Sequence, residues 1–270
     1  FAVWQRYAAR AWPSLFFIDP DGMLIAKHEG EYQFEDLDNF VAPLIAEYET
    51  KGSLRRSPSA WSLERDRQAA EHDIAFPGKV LADAASDALY IADSGHHRIM
   101  IASMDGDVQE EIGSGTPGLA DGDYQTAQFN NPQGLTVADG MLYVADKENH
   151  AIRCIDLTTK QVIPLAGTGS IAMTRSASGD ARETPLRSPW DVEIVDGVLY
   201  IAMAGTHQLW SLDTKAGTVG PFAGNGRESL SDGSLMEAEL AQPTGIVSDG
   251  TGKLYFVDSE TSSVRSAETT

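Results

Sequence analysis

A five-residue pattern that recurs four times constrains this chain more than any other sequence feature. Each copy begins with Leu-Tyr and continues with apolar residues, and three of the four end in Asp. The copies occupy residues 89–93, 142–146, 199–203 and 254–258, with spacings of 53, 57 and 55 residues. A continuous apolar run of this length is typical of a buried strand. A fixed period of this size indicates a repeat architecture.

Each copy sits in the same local context, which extends the repeat to a whole structural unit. A Pro-containing turn and a short apolar strand come before it, and a third and a fourth strand follow. Four short strands per unit without a helix pattern predict the blades of a β-propeller. The units are about 76–128, 129–185, 186–239 and 240–270, which makes about three and a half blades.

An incomplete propeller leaves strand edges unpaired and its core exposed. We therefore expect the chain to be part of a larger protein, truncated at both ends. Closure of the ring by a partner chain is the alternative.

Residues 1–50 mix helix and strand signals. The apolar run from Leu15 to Ile18 predicts a strand covered on both faces, and 19–22 form a strong turn signal. Residues 23–26 predict the returning strand of a hairpin, and apolar residues at helical spacing over 37–48 predict an amphipathic helix packed on it. Residues 51–75 are rich in charge and predict a linker to the propeller, 76–270.

Charge restricts the classes of partner. The 270 residues include 20 basic and 40 acidic side chains, a net charge of −20. Such a chain is repelled by nucleic acid and by anionic membranes. The single cysteine, Cys154, excludes an internal disulfide and any multi-cysteine metal site.

The second repeat carries the strongest family signature. Ala145-Asp146, Asn149-His150 and Ile152-Arg153 match the pattern of NHL repeats, and the strings at 91–99, 188–192 and 201–208 are more specific. On these residues the chain resembles the NHL repeat-containing protein 2-like family and its bacterial relatives over about residues 1–270. The third repeat has Met203 where the others have Asp, a departure that this family shares.

The resemblance implies a two-domain protein: an incomplete α/β thioredoxin-like domain followed by an all-β NHL-type propeller, six-bladed in the family. Residues 1–50 then correspond to the C-terminal half of the thioredoxin-like domain. Trp12 and Pro13 resemble that domain's cis-proline loop, which faces the redox cysteines and lines the substrate groove. The thiol motif itself would fall before Phe1, so this chain alone is predicted to lack dithiol chemistry.

Carboxylate and imidazole side chains recur in the hairpin that joins the second and third strands of each blade, so they are predicted to share one rim of the propeller. The candidate residues are Asp93, His97, Asp146, His150, His207 and Asp258. Such ligands could bind a metal, and the resemblance includes metal-using lyases. The competing interpretation, which their repetition favours, is that they hold each turn by bonding to backbone.

Two functions follow from these observations. The favoured one is a protein-interaction scaffold that binds a protein partner or client, coupled to a redox domain whose cysteines lie outside this chain. The alternative is a propeller enzyme with a metal-assisted site on its rim. No cofactor is predicted, and the oligomeric state is left open. A cytoplasmic location is favoured, with the periplasm as the alternative.

Overall fold

The computed structural model describes residues 14–29, 34–54, 56, 73–173 and 178–269. These residues fall into two compact units, with residues 14–56 in the first and 73–269 in the second. Trp12 and Pro13 lie outside the described residues, as does most of the predicted linker 51–75. Within the described part of the chain, no helix is long and apolar enough to cross a membrane.

The first unit is a hairpin followed by a helix, in the predicted order. Strands β1 (Ser14–Ile18) and β2 (Leu24–Glu29) pair antiparallel, and helix α1 spans Phe34–Thr50. Asp19 fixes the turn because its Oδ1 accepts the N–H of Met23 at 2.8 Å. Phe17 packs edge-on against Phe40 of α1, with 4.7 Å between ring centroids. The prediction that β1 is covered on both faces is wrong: the strand is half-buried, and Ile18 is 50% exposed.

The second unit is a β-propeller of four blades. Each blade is an antiparallel meander in which consecutive strands are neighbours. Blade 1 consists of β3 (Val80–Asp83), β4 (Ala88–Asp93), β5 (Arg98–Ala102) and β6 (Val108–Ile112). Blade 2 contains β8 (Pro132–Ala138), β9 (Met141–Asp146), β10 (Ala151–Asp156) and β11 (Gln161–Ala166). Blade 3 contains β13 (Pro189–Val195), β14 (Val198–Met203), β15 (Gln208–Asp213) and β16 (Thr218–Ala223). Blade 4 contains β17 (Pro243–Ser248), β18 (Lys253–Asp258) and β19 (Ser263–Glu268).

The segments between blades do more than connect them. Strand β7 (Gly122–Asp123) follows blade 1 but pairs with β11 of blade 2, and β12 (Gly179–Asp180) pairs with β16 of blade 3 in the same way. Each segment therefore adds a short fifth strand to the outer edge of the next blade. This covers backbone groups that an edge strand would otherwise leave unpaired.

Three apolar cores lie between successive blades, and in each a large side chain from the connecting segment is buried at the same repeat position. These side chains are Phe129, Leu186 and Leu240, each three residues before the proline that begins the next blade, and each is at most 1% exposed. Full burial of such a side chain stabilises the fold by roughly 1.5–3 kcal/mol. Blade stacking is therefore driven by apolar contacts that repeat with the sequence.

Candidate functional site

One surface of the propeller carries the recurrent hairpins, and we call it the first face. It is formed by the 3-10 turns between the second and third strands and by the starts of the first strands. The turns are Ser94–His96, Lys147–Asn149, Ala204–Thr206 and Ser259–Thr261. Each ends on a left-handed residue, with φ of 55° at His97, 48° at His150, 55° at His207 and 51° at Ser262. The opposite surface carries the hairpins between the first and second strands and between the third and fourth strands, and we call it the second face.

The recurrent aspartates are buried at the ends of the second strands. Asp93, Asp146 and Asp258 are 0% exposed. In each, Oδ1 accepts the backbone N–H two residues before the blade's proline: Ala75 at 2.8 Å, Asn130 at 2.7 Å and Ala241 at 2.7 Å. Each carboxylate thus anchors the first strand of its own blade, since a buried N–H needs a partner.

The second carboxylate oxygen of each aspartate faces a cation. Oδ2 of Asp146 lies 3.3 Å from Arg153, and Oδ2 of Asp258 lies 3.0 Å from Arg265. In blade 1 the partners of Asp93 are Arg98 and His96 Nδ1, both at 2.8 Å. Burial raises the pKa of Asp146 to about 6, against the opposing effects of its hydrogen bonds and of Arg153. The arginine is therefore needed to keep this carboxylate charged at neutral pH.

Arg153 also binds the segment that precedes its blade. Its guanidinium donates to the carbonyls of Gln128 at 2.8 Å and Ala120 at 3.1 Å, and to Asp121 Oδ1 at 2.5 Å. Arg265 in blade 4 does the same with Glu239, Ser231 and Asp232. The Asp–Arg pair therefore joins three parts of a blade: its first strand, its third strand and the incoming connection.

Blade 3 replaces this ion pair with apolar side chains. Met203 stands at the position of Asp146, and Trp210, at the position of Arg153, is 1% exposed. Gln208 accepts the Trp210 indole N–H at 3.1 Å and donates to the carbonyl of Gly224 at 2.9 Å. A buried ion pair can be exchanged for well-packed apolar residues without loss of stability. Met203, which replaces the recurrent aspartate, is thus accompanied by Trp210 at the position of the arginine.

The histidines join one blade to the next. The backbone N–H of Asn131 donates to His97 Nδ1 at 3.1 Å, and that of Ser188 donates to His150 Nδ1 at 3.1 Å. Nδ1 can accept only in the neutral ring, so Nε2 carries the proton. Burial lowers the pKa of His150, in agreement with a neutral ring. Nε2 of His207 lies 3.8 Å from Glu228, while its buried Nδ1 has no hydrogen-bond partner among the residues that the structure describes.

These contacts limit which side-chain atoms are available to bind a metal ion. The aspartate oxygens and the Nδ1 atoms of His97 and His150 are engaged within or between blades. Among the described residues, no three His, Cys, Asp or Glu side chains are grouped so that they could hold a metal ion. Cys154 is buried, and burial raises the pKa of its thiol to about 11, so it is a poor source of thiolate.

The innermost strands contain an ion pair that was not predicted from the sequence. Lys79 of blade 1 donates to both carboxylate oxygens of Asp191 in blade 3, at 2.7 and 3.0 Å. Asp191 Oδ2 also accepts the N–H of Ile246 in blade 4 at 3.0 Å. Gly134 of blade 2 lies so close that a Cβ there would be 2.2 Å from Asp191 Oδ1. One carboxylate thus brings all four blades together.

The sequence contains a pattern from which this ion pair could have been predicted. Lys79, Gly134, Asp191 and Gly245 all stand two residues after a blade's proline, so opposite charges alternate with glycines at one repeat position. Further along the same strand, Glu193 Oε1 accepts the N–H of Ser248 at 3.1 Å. Burial raises the pKa of both Asp191 and Glu193, and Lys79 opposes that effect.

The first face has a depression of about 620 Å³ where blades 1 and 2 meet. Its lining comprises Phe76, Ser94, Gly95, His97, Asn130, Asn131 and Glu148. Phe76 is 52% exposed and has a φ of 48°, which is unusual for a bulky side chain. Of the predicted site residues that the structure describes, only His97 lies in this lining.

Comparison with known proteins agrees with the fold. Residues 129–155, which include Asp146, His150 and Arg153, match the model of the NHL repeat family. A structural genomics protein of unknown function from Bacteroides thetaiotaomicron superposes with a TM-score of 0.55 at 20% identity, covering 71% of this chain and 47% of that one. An auxiliary nutrient binding protein from Bacteroides ovatus gives 0.51 at 20% identity, over 66% and 44%. At these identities the likeness concerns the fold alone. The chain contains an NHL-type β-propeller.

Sequence relatives narrow this class. The chain is 36% identical to NHL repeat-containing protein 2 of Bos taurus over 98% of its own length and 39% of that protein. It is 34% identical to the Homo sapiens protein of the same name, with the same coverage. It is 38% identical to Protein SUPPRESSOR OF QUENCHING 1, chloroplastic, of Arabidopsis thaliana, over 98% of this chain and 26% of that protein. The resemblance to the NHL repeat-containing protein 2-like family is thereby confirmed, and the chain spans about two-fifths or less of these relatives.

Proposed function

We propose that this propeller is a protein-interaction scaffold whose first face binds the partner. The NHL propeller fold is consistent with such a role, because it presents loops from every blade on one surface and functional residues concentrate on loops. The observation that carries the proposal is Phe76, a half-exposed aromatic side chain at a repeat position where the other blades have Asn131, Ser188 and Gln242. All four residues have a left-handed backbone, a conformation that a bulky aromatic residue rarely adopts, so the ring at this position is specific to blade 1.

The contacts of the recurrent aspartates and histidines favour the scaffold over the metal-assisted enzyme. The aspartate oxygens and the Nδ1 atoms of His97 and His150 are committed to holding strands and blades, which leaves shape and surface chemistry as the means of recognition. Residues 76–270 carry 12 basic and 27 acidic side chains, a net charge of −15. This field disfavours nucleic acid as the partner.

Site-specific photo-crosslinking tests the proposal. A benzophenone amino acid replaces Phe76 on the first face or, as the control, Met104 on the second face of the same blade; the two are 52% and 45% exposed. In extract of the source cells we expect discrete protein adducts from position 76 and none from 104. The captured protein should then bind the unmodified chain when both are purified. Equal adducts from both positions, or none from 76, would contradict the proposal.

We further propose that the scaffold is coupled to a thioredoxin-like domain that includes the first unit. The support is the resemblance, together with a hairpin followed by a helix in the order it implies. Cys154 is buried, so redox chemistry would depend on cysteines elsewhere in a longer protein. A thiol count on such a protein, denatured with and without reduction, should gain two thiols on reduction. A count that does not change would rule out the coupling to disulfide chemistry.

A further inference from the structure

We propose that the depression between blades 1 and 2 receives a lysine or arginine side chain of the protein partner, with Phe76 and Glu148 as its contacts. This inference rests on the proposed scaffold function and specifies the chemistry of the partner. It follows from a comparison between two blade junctions of the same propeller.

The junction between blades 2 and 3 contains its own basic side chain. Lys147 lies in the hairpin of blade 2, and its Nζ is 4.5 Å from the centroid of the Trp190 ring in blade 3. The same Nζ is 2.7 Å from Glu148 Oε1. An ammonium over an aromatic face with a carboxylate beside it is a favourable arrangement.

The junction between blades 1 and 2 lacks the equivalent side chains. Ser94 and Gly95 stand at the positions of Lys147 and Glu148. The Ser94 hydroxyl donates to the carbonyl of Pro132, so it is turned into the junction. Gly95 is required there because a Cβ would lie 2.7 Å from the carbonyl oxygen of Ala75. The depression is therefore the space that larger hairpin side chains fill at the next junction.

The lining of this space provides an aromatic ring and a carboxylate from other repeat positions, since the equivalent of Trp190 at this junction is Gln133. The equivalents of Phe76 in the other blades are Asn131, Ser188 and Gln242, so blade 1 alone places an aromatic ring before its proline. Glu148 is 46% exposed at its side chain, and the hydrogen bond from Lys147 lowers the pKa of its carboxyl, which keeps it ionised.

Charge complementarity favours the same occupant. The propeller carries a net charge of −15 over residues 76–270, and such a field raises the local concentration of basic groups and their rate of association. Acidic residues on the second face also contribute to this field. Binding at the depression and not at the second face therefore distinguishes a specific site from general electrostatic attraction.

NMR titration of the whole chain with a capped Gly-Arg-Gly tripeptide tests the inference, with capped Gly-Gln-Gly as the neutral probe. We expect saturable amide shifts at Gly95, Asn130 and Glu148 with the arginine peptide only. Glu148→Gln and Phe76→Ser, the latter using the residue of blade 3, should each weaken binding about fivefold to tenfold. Asp105→Asn, a charge change on the second face, should not alter it.

Several outcomes would overturn the inference. These are shifts that map to the second-face hairpins, equal shifts with the glutamine peptide, or binding that neither first-face variant weakens. If adducts still form from position 76 in the crosslinking experiment, the scaffold function stands and only the basic partner is wrong. If the arginine peptide binds but no adduct forms, the scaffold proposal itself fails.

Discussion

Replacing Arg153 with Met should lower the free energy of unfolding by about 3–5 kcal/mol, because it leaves the Asp146 carboxylate buried without its cation. Methionine is the residue that blade 1 has at this position, Met100, so its size is compatible with a blade. Carbonyls of the incoming connection would lose their donor as well. Urea unfolding followed by circular dichroism measures the change.

The pH dependence of this variant separates a lost ion pair from lost packing. Without Arg153 the folded-state pKa of Asp146 rises further above its unfolded value. A carboxyl with a raised pKa adds stability at low pH that is lost as the pH rises through the folded pKa. The deficit relative to the wild type should therefore be smaller at about pH 5.5 than at about pH 8.

The double variant Asp146→Met/Arg153→Trp is the matched control, because it copies blade 3. With no charge left uncompensated, it should be more stable than Arg153→Met alone. A single variant that loses less than about 1 kcal/mol, within the range of ordinary surface changes, would contradict the role of the pair.

Gly134→Ala is the second substitution with a large expected effect. A Cβ at this position would lie 2.4 Å from the Cα of Asp191 and 2.2 Å from its Oδ1, so backbone of blade 3 would have to move. Overpacking of this kind costs typically 1–3 kcal/mol and sometimes more. The same shift would separate Asp191 from Lys79, which adds to the loss in a urea titration.

Gly245→Ala, the equivalent change in blade 4, is its control. The nearest atom to a Cβ there is Val257 Cγ2 at 3.6 Å, an ordinary contact. Neither glycine has a positive φ, so alanine fits both backbones. The free energy of unfolding should stay unchanged or rise by up to about 1 kcal/mol, because alanine restricts the unfolded chain. Equal destabilisation by the two substitutions would show that the inner contact to Asp191 does not hold the blades.

The repeat predicted the blades because local sequence is enough to specify them. Apolar runs with turn residues between them set the strands, and the common register placed Asp93, Asp146 and Asp258 at strand ends beside left-handed turn residues. The propeller strands and their order were predicted on this basis. The contacts that a side chain makes with another blade were not, because periodicity within a unit contains no information about the rotation between units.

The short strands, the Lys79–Asp191 ion pair and the exposure of Phe76 were not predicted, for related physical reasons. Strands β7 and β12 have two residues each, too few to show hydrophobic alternation, so the sequence pattern does not predict them. Lys79 and Asp191 are 112 residues apart, and their pairing depends on the space that Gly134 leaves. Neither the exposure of Phe76 nor its positive φ can be deduced from an isolated Phe-Pro dipeptide.

We propose that the first face recognises a protein by its surface chemistry and not through a metal centre. Photo-crosslinking from position 76, with and without a chelator, tests it most directly. We expect discrete adducts from position 76 that persist with the chelator and are absent from position 104. Adducts that disappear with the chelator would indicate a metal-dependent site, and adducts from position 104 alone would place recognition on the second face; either result would contradict the account.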